Sequence, residues 1–191
     1  MNLKPLIAGV IFLCLSFSDL SAQSERIVVT RIGETSSFKG HCVSIITTSN
    51  RKENAFLKFS AGLDTYGIIS HKTISPGGKL SVTHNTILKN SLINDDVAYI
   101  LYMGAGGVAG YLKDYYRESI KNHGVIMGVS TSLGGIVAFR NSNIELGLDF
   151  TADLALQLRK MEETENKLGL SWYANGLIRA LIPQVSIYYR F

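Results

Sequence analysis

Between Ile144 and Leu158 the chain alternates without a break. Ile144, Leu146, Leu148, Phe150, Ala152, Leu154, Leu156 and Leu158 hold the even positions, while Glu145, Gly147, Asp149, Thr151, Asp153, Ala155 and Gln157 hold the odd ones. Apolar residues on an amphipathic helix recur at three- and four-residue steps, so this run predicts a strand whose two sides meet different surroundings. The alternating segment 143–160 would span roughly 50 Å or more at about 3.3 Å per residue. That exceeds the ordinary globular strand of ~5–6 residues. It suits a tilted strand that crosses ~9–11 residues of lipid and projects beyond it.

The same rule governs Val185, Ser186, Ile187, Tyr188, Tyr189, Arg190 and Phe191, with apolar or aromatic residues on the odd positions. Chain termini ordinarily fray. A strand that runs to a terminal Phe is what a closed membrane barrel needs, because its last strand pairs with its first and no edge is left. The amino-terminal stretch 1–22 reads as a cleaved signal peptide: Lys4 supplies the positive start, Leu6 and the residues to Phe17 the apolar run, and Ser18 to Ala22 the small, polar cleavage region. That run is shorter than the ~20 residues of a spanning helix. The remainder, 23–191, is expected to form one domain.

Glycine (18) far outnumbers proline (3). With Cys14 inside the signal, Cys42 is the one remaining cysteine, which leaves neither a disulfide nor a cysteine metal cluster to expect. The formal charge of +4 is spread along the chain without the basic clusters of a nucleic-acid binder. Eight strands are predicted, over 25–33, 37–48, 54–72, 79–89, 96–114, 124–140, 143–160 and 178–191. In the third, Leu57, Phe59, Ala61 and Leu63 oppose Lys58, Ser60, Gly62 and Asp64; in the fifth, Gly104, Gly106 and Gly110 thin the inner face. Glycine relieves crowding in the narrow interior of a small barrel. Pro183 is expected near the start of the eighth strand. Treating 167–175 as a strand and dropping the first is a second division, which would put the longest connections on the other side of the membrane.

These segments resemble the small outer-membrane β-barrel family of the OmpA/OmpX/porin-like type, its barrel-only members above all. The residues that carry the resemblance are the stretch from Tyr99 through Gly104, Gly106, Gly107 and Gly110 to Tyr111, the strand ending Ile136, Val137, Ala138, Phe139, the strand from Ile144 to Asp149, and the terminal Tyr188, Tyr189, Arg190 and Phe191. The resemblance implies an all-β, eight-stranded, antiparallel, up-and-down transmembrane β-barrel in a bacterial outer membrane. Its partners would be outer-membrane lipid and, during assembly, the insertion machinery, which would read Tyr189 and Phe191 as a C-terminal signal. His41, Cys42 and His84 depart from the alternation and leave the register of 25–90 open.

Charged side chains at this depth point into the lumen. Glu145, Asp149, Asp153 and Arg159 share the inner face of the seventh strand, and Lys58, Arg140 and Arg190 are the basic residues expected to meet them. Such a cluster is either a proton or ion path, an acid pair for hydrolysis, or an ion-paired plug; eight strands leave room for side chains and little else. Tyr99, Tyr111, Tyr115 and Tyr188 are expected at the membrane interfaces, where a ring sits in lipid and its hydroxyl among head groups. His84, with Ser81 and Thr86 near it in sequence, is the one arrangement to weigh as a lipid-hydrolase site. No metal-ligand spacing, phosphate loop or cofactor motif is present, so no cofactor is expected. The sequence thus predicts a non-enzymatic membrane barrel, structural or presenting loops, with at most a narrow pore. Its rivals are an exported lipocalin-like barrel with its apolar faces turned inward around an apolar ligand, and a barrel lipid-modifying enzyme.

Overall fold

The structure, a computed structural model, describes residues 27–37, 40–49, 54–69, 76–114, 123–160 and 168–191 of the chain. The expected signal peptide lies outside the described residues. Among the described residues nine strands form one sheet: β1 (Ile27–Ser37), β2 (Gly40–Ser49), β3 (Ala55–Asp64), β4 (Gly77–Asn94), β5 (Val97–Leu112), β6 (Gly124–Phe139), β7 (Ile144–Lys160), β8 (Leu168–Trp172) and β9 (Gln184–Arg190). Each pairs antiparallel with its neighbour in sequence as far as β8. β9 pairs on one side with β1 and on the other with β7, which closes the sheet. β8 and β9 share the eighth position in the wall: β8 lies against Leu156–Lys160 of β7 and β9 against Ile144–Asp149. The result is a closed, eight-stranded, antiparallel up-and-down barrel.

The eighth strand is therefore not the continuous 178–191 that the sequence suggests, and the two divisions of the sequence each capture part of it. Between β8 and β9 the chain leaves the ladder through a short helix, α2 (Ala174–Ile178), and a 3-10 turn (Arg179–Leu181). The reasons are local. Pro183 has no N–H to give. The backbone of Gly176 presses against Asp153, whose carbonyl occupies the space a Cβ would need. Polar groups compensate for the lost ladder: the Ala174 N–H donates to Asp114 Oδ2 at 2.9 Å, and Asn175 Nδ2 donates to the Lys113 carbonyl at 3.2 Å.

β3 stops at Asp64 rather than running to 72, because the N–H groups of Ile68 and Ile69 both turn back to the Thr65 carbonyl at 3.0 Å in a one-turn helix, α1 (Tyr66–Ile69). β4 is longer than expected. Register shifts between Ile87 and Lys89 and between Leu92 and Asn94 interrupt its alternation without ending its pairing. A third shift, between Val29 and Arg31, does the same in β1 and brings Arg31 onto the inner face.

The register fixes the shape of the barrel. Stepping straight across the strands from Leu158, the partners are Val125, Tyr111, Gly78, Leu63, His41, Ser36, Val185 and finally Leu148 on the starting strand, a stagger of ten residues. With about 3.3 Å per residue and about 4.8 Å between strands, this tilts the strands by roughly 40°.

Inside, the wall is filled by side chains. Ile46, Phe56, Tyr102, Ile136 and Tyr188 pack as one apolar cluster, and Val108, Leu112, Ile126, Ala155 and Tyr173 as another. The Tyr188 ring lies across Gly33 of β1 and Gly147 of β7; a Cβ on Gly147 would stand 2.8 Å from it. Outside, the wall is apolar. On β7, Leu148 is 47% exposed while its neighbour Asp149 is 0% exposed, and Leu154 is exposed further along; Leu80, Val82, Met103, Met127, Val129, Leu133 and Ile187 are exposed on the other strands. This is the reverse of the lipocalin-like arrangement.

Candidate functional site in the barrel lumen

The inward positions of β7 recur every two residues, so Glu145, Asp149 and Asp153 lie four residues apart along one line down the lumen wall. Each is buried, and each meets a base from another strand.

At the lower end Glu145 takes Arg31 from β1, whose Nε donates to Oε2 and Nη2 to Oε1 at 3.4 Å. Arg190 of β9 approaches the same carboxylate at 3.4 Å. In the middle Asp149 is the hub of the lumen. Lys58 Nζ of β3 donates to its Oδ2 at 3.0 Å, Ser186 Oγ of β9 donates to the same oxygen at 3.0 Å, and the Tyr188 hydroxyl approaches it at 3.4 Å. The Tyr102 hydroxyl of β5 donates to Oδ1. Lys58 Nζ also stands 5.6 Å from the centre of the Tyr188 ring, within cation–π range. Higher up, Lys79 Nζ of β4 and Ser130 Oγ of β6 each donate to Asp153 at 2.7 Å. At the upper mouth Arg179 Nη1, from the 3-10 turn, donates to Asp64 Oδ2 of β3 at 3.1 Å. Side-chain amides and hydroxyls fill in between: Ser132 Oγ donates to Asn85 Oδ1 at 2.6 Å, and Gln157 Nε2 to the Leu112 carbonyl at 2.7 Å.

The three acids and two of the expected bases, Lys58 and Arg190, thus come together. Two expected members do not. Arg140 is not a lumen residue: β6 ends at Phe139, and Arg140 sits exposed in the turn to β7, with Nη1 3.4 Å from the Asp95 carbonyl. Arg159 is on the inner face near the top of β7, half-buried, and pairs with none of the three acids. The sequence reading did not include Arg31, Lys79, Tyr102 or Arg179. Lys79 was legible, since it precedes Ser81, Thr83 and Asn85 on the same face of β4; Arg31 reaches the lumen through the shift in β1.

The aromatic residues divide in the same way. Tyr111 is exposed on the outer face near the top of β5, and Tyr99 is half-buried near its lower end, with Lys89 Nζ 5.6 Å from its ring centre. Tyr189 and Phe191 point outward and meet edge-on at 5.3 Å. Tyr188 is not an interface residue: it is 0% exposed, because on β9 Gln184, Ser186 and Tyr188 face inward while Val185, Ile187 and Tyr189 face out. Tyr115 lies outside the described residues. Trp172 is exposed on β8, whereas Tyr173 is buried at the top of the lumen.

His84 faces outward on β4, opposite Leu57 and Ala105, while Ser81 belongs to the inner series. The two cannot form a nucleophile and base pair, and Thr86 is the nearest hydroxyl residue on the face of His84 along the strand. Among the described residues no three His, Cys, Asp or Glu side chains gather as metal ligands. No described helix is long and apolar enough to cross a membrane, a criterion that does not bear on strands.

No protein-family model and no curated protein matches the sequence. Among solved structures the chain is similar to the N-terminal β-barrel domain of Pseudomonas aeruginosa OprF, at 12% identity and a TM-score of 0.44, over 88% of this chain and 100% of that one. It is also similar to Ail, the attachment invasion locus protein of Yersinia pestis, at 12% identity and a TM-score of 0.33, over 87% of this chain and 97% of that one. The barrel itself is established by the closed pairing of its own strands.

Proposed function

We propose that this chain is an outer-membrane β-barrel, exported through a cleaved signal peptide, that acts as a non-enzymatic structural or loop-presenting protein and conducts at most through a narrow pore. The observation that carries the reading is the inversion of polarity across a closed wall: exposed leucine, valine and methionine outside, and a fully enclosed carboxylate, Asp149, with lysine, serine and two tyrosines inside. Water has no use for such an exterior, whereas a bilayer requires both an apolar outer face and a closed set of backbone hydrogen bonds.

The tiered ion pairs support a plug rather than an open channel. The acids stand on one strand, and their bases arrive from β1, β3, β4 and β9, so the side chains reach across the lumen and occupy it. The separation of His84 from Ser81 onto opposite faces removes the support that the sequence lent to a hydrolase.

The test is fractionation of cell envelopes by density, with the heat-dependent gel shift of folded barrels as the readout, followed by planar-bilayer recording of the purified protein. Recovery in the outer-membrane fraction as a heat-shifted band, with no sustained large conductance, is the expected result. A soluble periplasmic product refutes the membrane reading, and a steady, large conductance refutes the plug.

A further inference from the structure

We propose that the upper lumen holds a side-entry binding site for the head group of a neutral, single-chain amphiphile drawn from the outer leaflet. This inference rests on the membrane reading above. It begins with the stagger of the barrel. A row taken straight across the strands falls as it winds, so Ser36 and His41, at the top of the β1–β2 hairpin, lie roughly 15–20 Å lower along the barrel axis than Leu158 on β7. Ser37 and Gly40 are separated by two residues, so the hairpin ends there. Gly40 takes a φ of +137°, a conformation that side-chain-bearing residues avoid. On the other side β8 carries the wall back up beside β7, and among the described residues no strand pairs with the second edge of β8. The described wall is therefore notched above β1 and β2.

Behind the notch lies a cavity of about 40 Å³. Small residues face it on the hairpin side: Gly40, Cys42 and Gly62. Its other walls mix Leu112 and Tyr173 with the Lys79–Asp153 and Arg179–Asp64 pairs and with Gln184 at the start of β9. The outer faces of the adjoining strands are apolar: Val43 and Leu63 are both exposed, as is Leu181 in the segment that follows α2. A chamber that sets two ion pairs among apolar side chains, behind an apolar outer rim, matches a molecule with a compact polar head and an apolar tail.

Two quantities narrow the class. At roughly 10–15 Å³ for each water, the cavity has room for about three, the size of a compact head such as two hydroxyls and their carbons. The two ion pairs balance, so an added net charge would enter a poorly solvated space without a counter-ion, whereas hydroxyls or an amide can replace water with little loss. The notch is a single hairpin wide, about two strand spacings or ~10 Å, which favours one chain over two. A monoacylglycerol has these properties and serves as the probe.

Cys42 is the built-in reporter. The full chain is folded into phosphatidylcholine vesicles, and its heat-shifted band and co-flotation with lipid are checked first; failure there refutes the membrane reading and not this one. Alkylation is then read at Cys42 by peptide mass, with a charged, water-soluble maleimide and with an alkyl maleimide dissolved in the bilayer. The alkyl reagent is expected to reach Cys42, and titrating monooleoylglycerol into the vesicles is expected to slow both reactions at least about fivefold in a saturable manner, as occupancy of a site predicts. Oleate and lysophosphatidylcholine at equal mole fraction are expected to protect less. Thr151→Phe, which fills the chamber from β7, is expected to keep the heat-shifted band and lose the dependence on monooleoylglycerol. No protection across the titration means that the chamber holds only water, equal protection by all three amphiphiles means a bulk bilayer effect, and labelling by the water-soluble reagent alone means that the mouth opens to water only. Each of these outcomes overturns the proposal.

Discussion

Removing Lys58 tests whether the middle of the lumen is a buried electrostatic strut. Asp149 is 0% exposed and takes hydrogen bonds from Lys58, Ser186, Tyr188 and Tyr102, which stand on β3, β9 and β5. In Lys58→Met the carboxylate keeps its three hydroxyl donors and loses its counter-charge. Those hydroxyl bonds already exist in the parent and offset nothing further, so the cost is that of an uncompensated buried charge, ~3–5 kcal/mol. Asp149→Asn should cost a similar amount, because it strands the Lys58 ammonium beside the Tyr188 ring. The double variant should be less destabilised than the sum of the two, by ~2–3 kcal/mol, since it leaves no unpaired charge. The assay is urea unfolding in lipid vesicles, read by the heat-shifted gel band. With a urea slope of ~1–3 kcal/mol per molar, each single variant should lower the midpoint by about 1 M or more. Single costs below ~1 kcal/mol that add in the double variant would refute the strut and indicate a hydrated lumen.

Leu148→Arg places a charge on the outer face and should cost ~2–4 kcal/mol near the bilayer midplane, measured by the same unfolding assay in vesicles. Gly33→Val should destabilise the seam between β1 and β9, because the space beside Gly33 is filled by the Tyr188 ring; hydrogen exchange at the β1–β9 pairs should rise before that at β5 and β6. Arg179→Ala breaks the pair with Asp64 that ties the segment between β8 and β9 to β3. Protease cleavage and amide exchange within 174–181 should increase, while the folded fraction stays near that of the parent.

The architecture was legible where the alternation ran in one phase. β7 could be placed, faced and paired from Ile144 to Leu158 because each apolar residue has a polar neighbour, and the structure turns Leu148 out and Asp149 in accordingly. The sequence pattern failed where a shift in register changed the phase. Around Ile87 to Lys89 the pattern of β4 breaks while its pairing with β5 continues, so the strand looked shorter than it is. In β1 the shift near Thr30 sends Arg31 inward to Glu145, a contact over 114 positions of sequence that no local pattern announces. Tyr188 and Tyr189 look alike as an aromatic pair, yet strict alternation along β9 sends one to Asp149 and the other to the outer face. The break at 173–183 carried a signal in Pro183 and Gly176, although the polar groups that compensate for it, Lys113 and Asp114, come from the distant end of β5.

The central claim is that lipid surrounds the even face of β7 and the ion-paired lumen encloses the odd face. Single nitroxide labels at Leu148, Phe150, Thr151, Ala152 and Leu154 in vesicle-inserted protein test it most directly, through collision with oxygen, which concentrates in the bilayer, and with a polar nickel chelate, which does not enter it. The account predicts high oxygen and low nickel access at the even positions Leu148, Phe150, Ala152 and Leu154 and restricted access to both reagents at the half-buried, inward Thr151. High nickel access at Leu148, or oxygen access that peaks at Thr151, would contradict it.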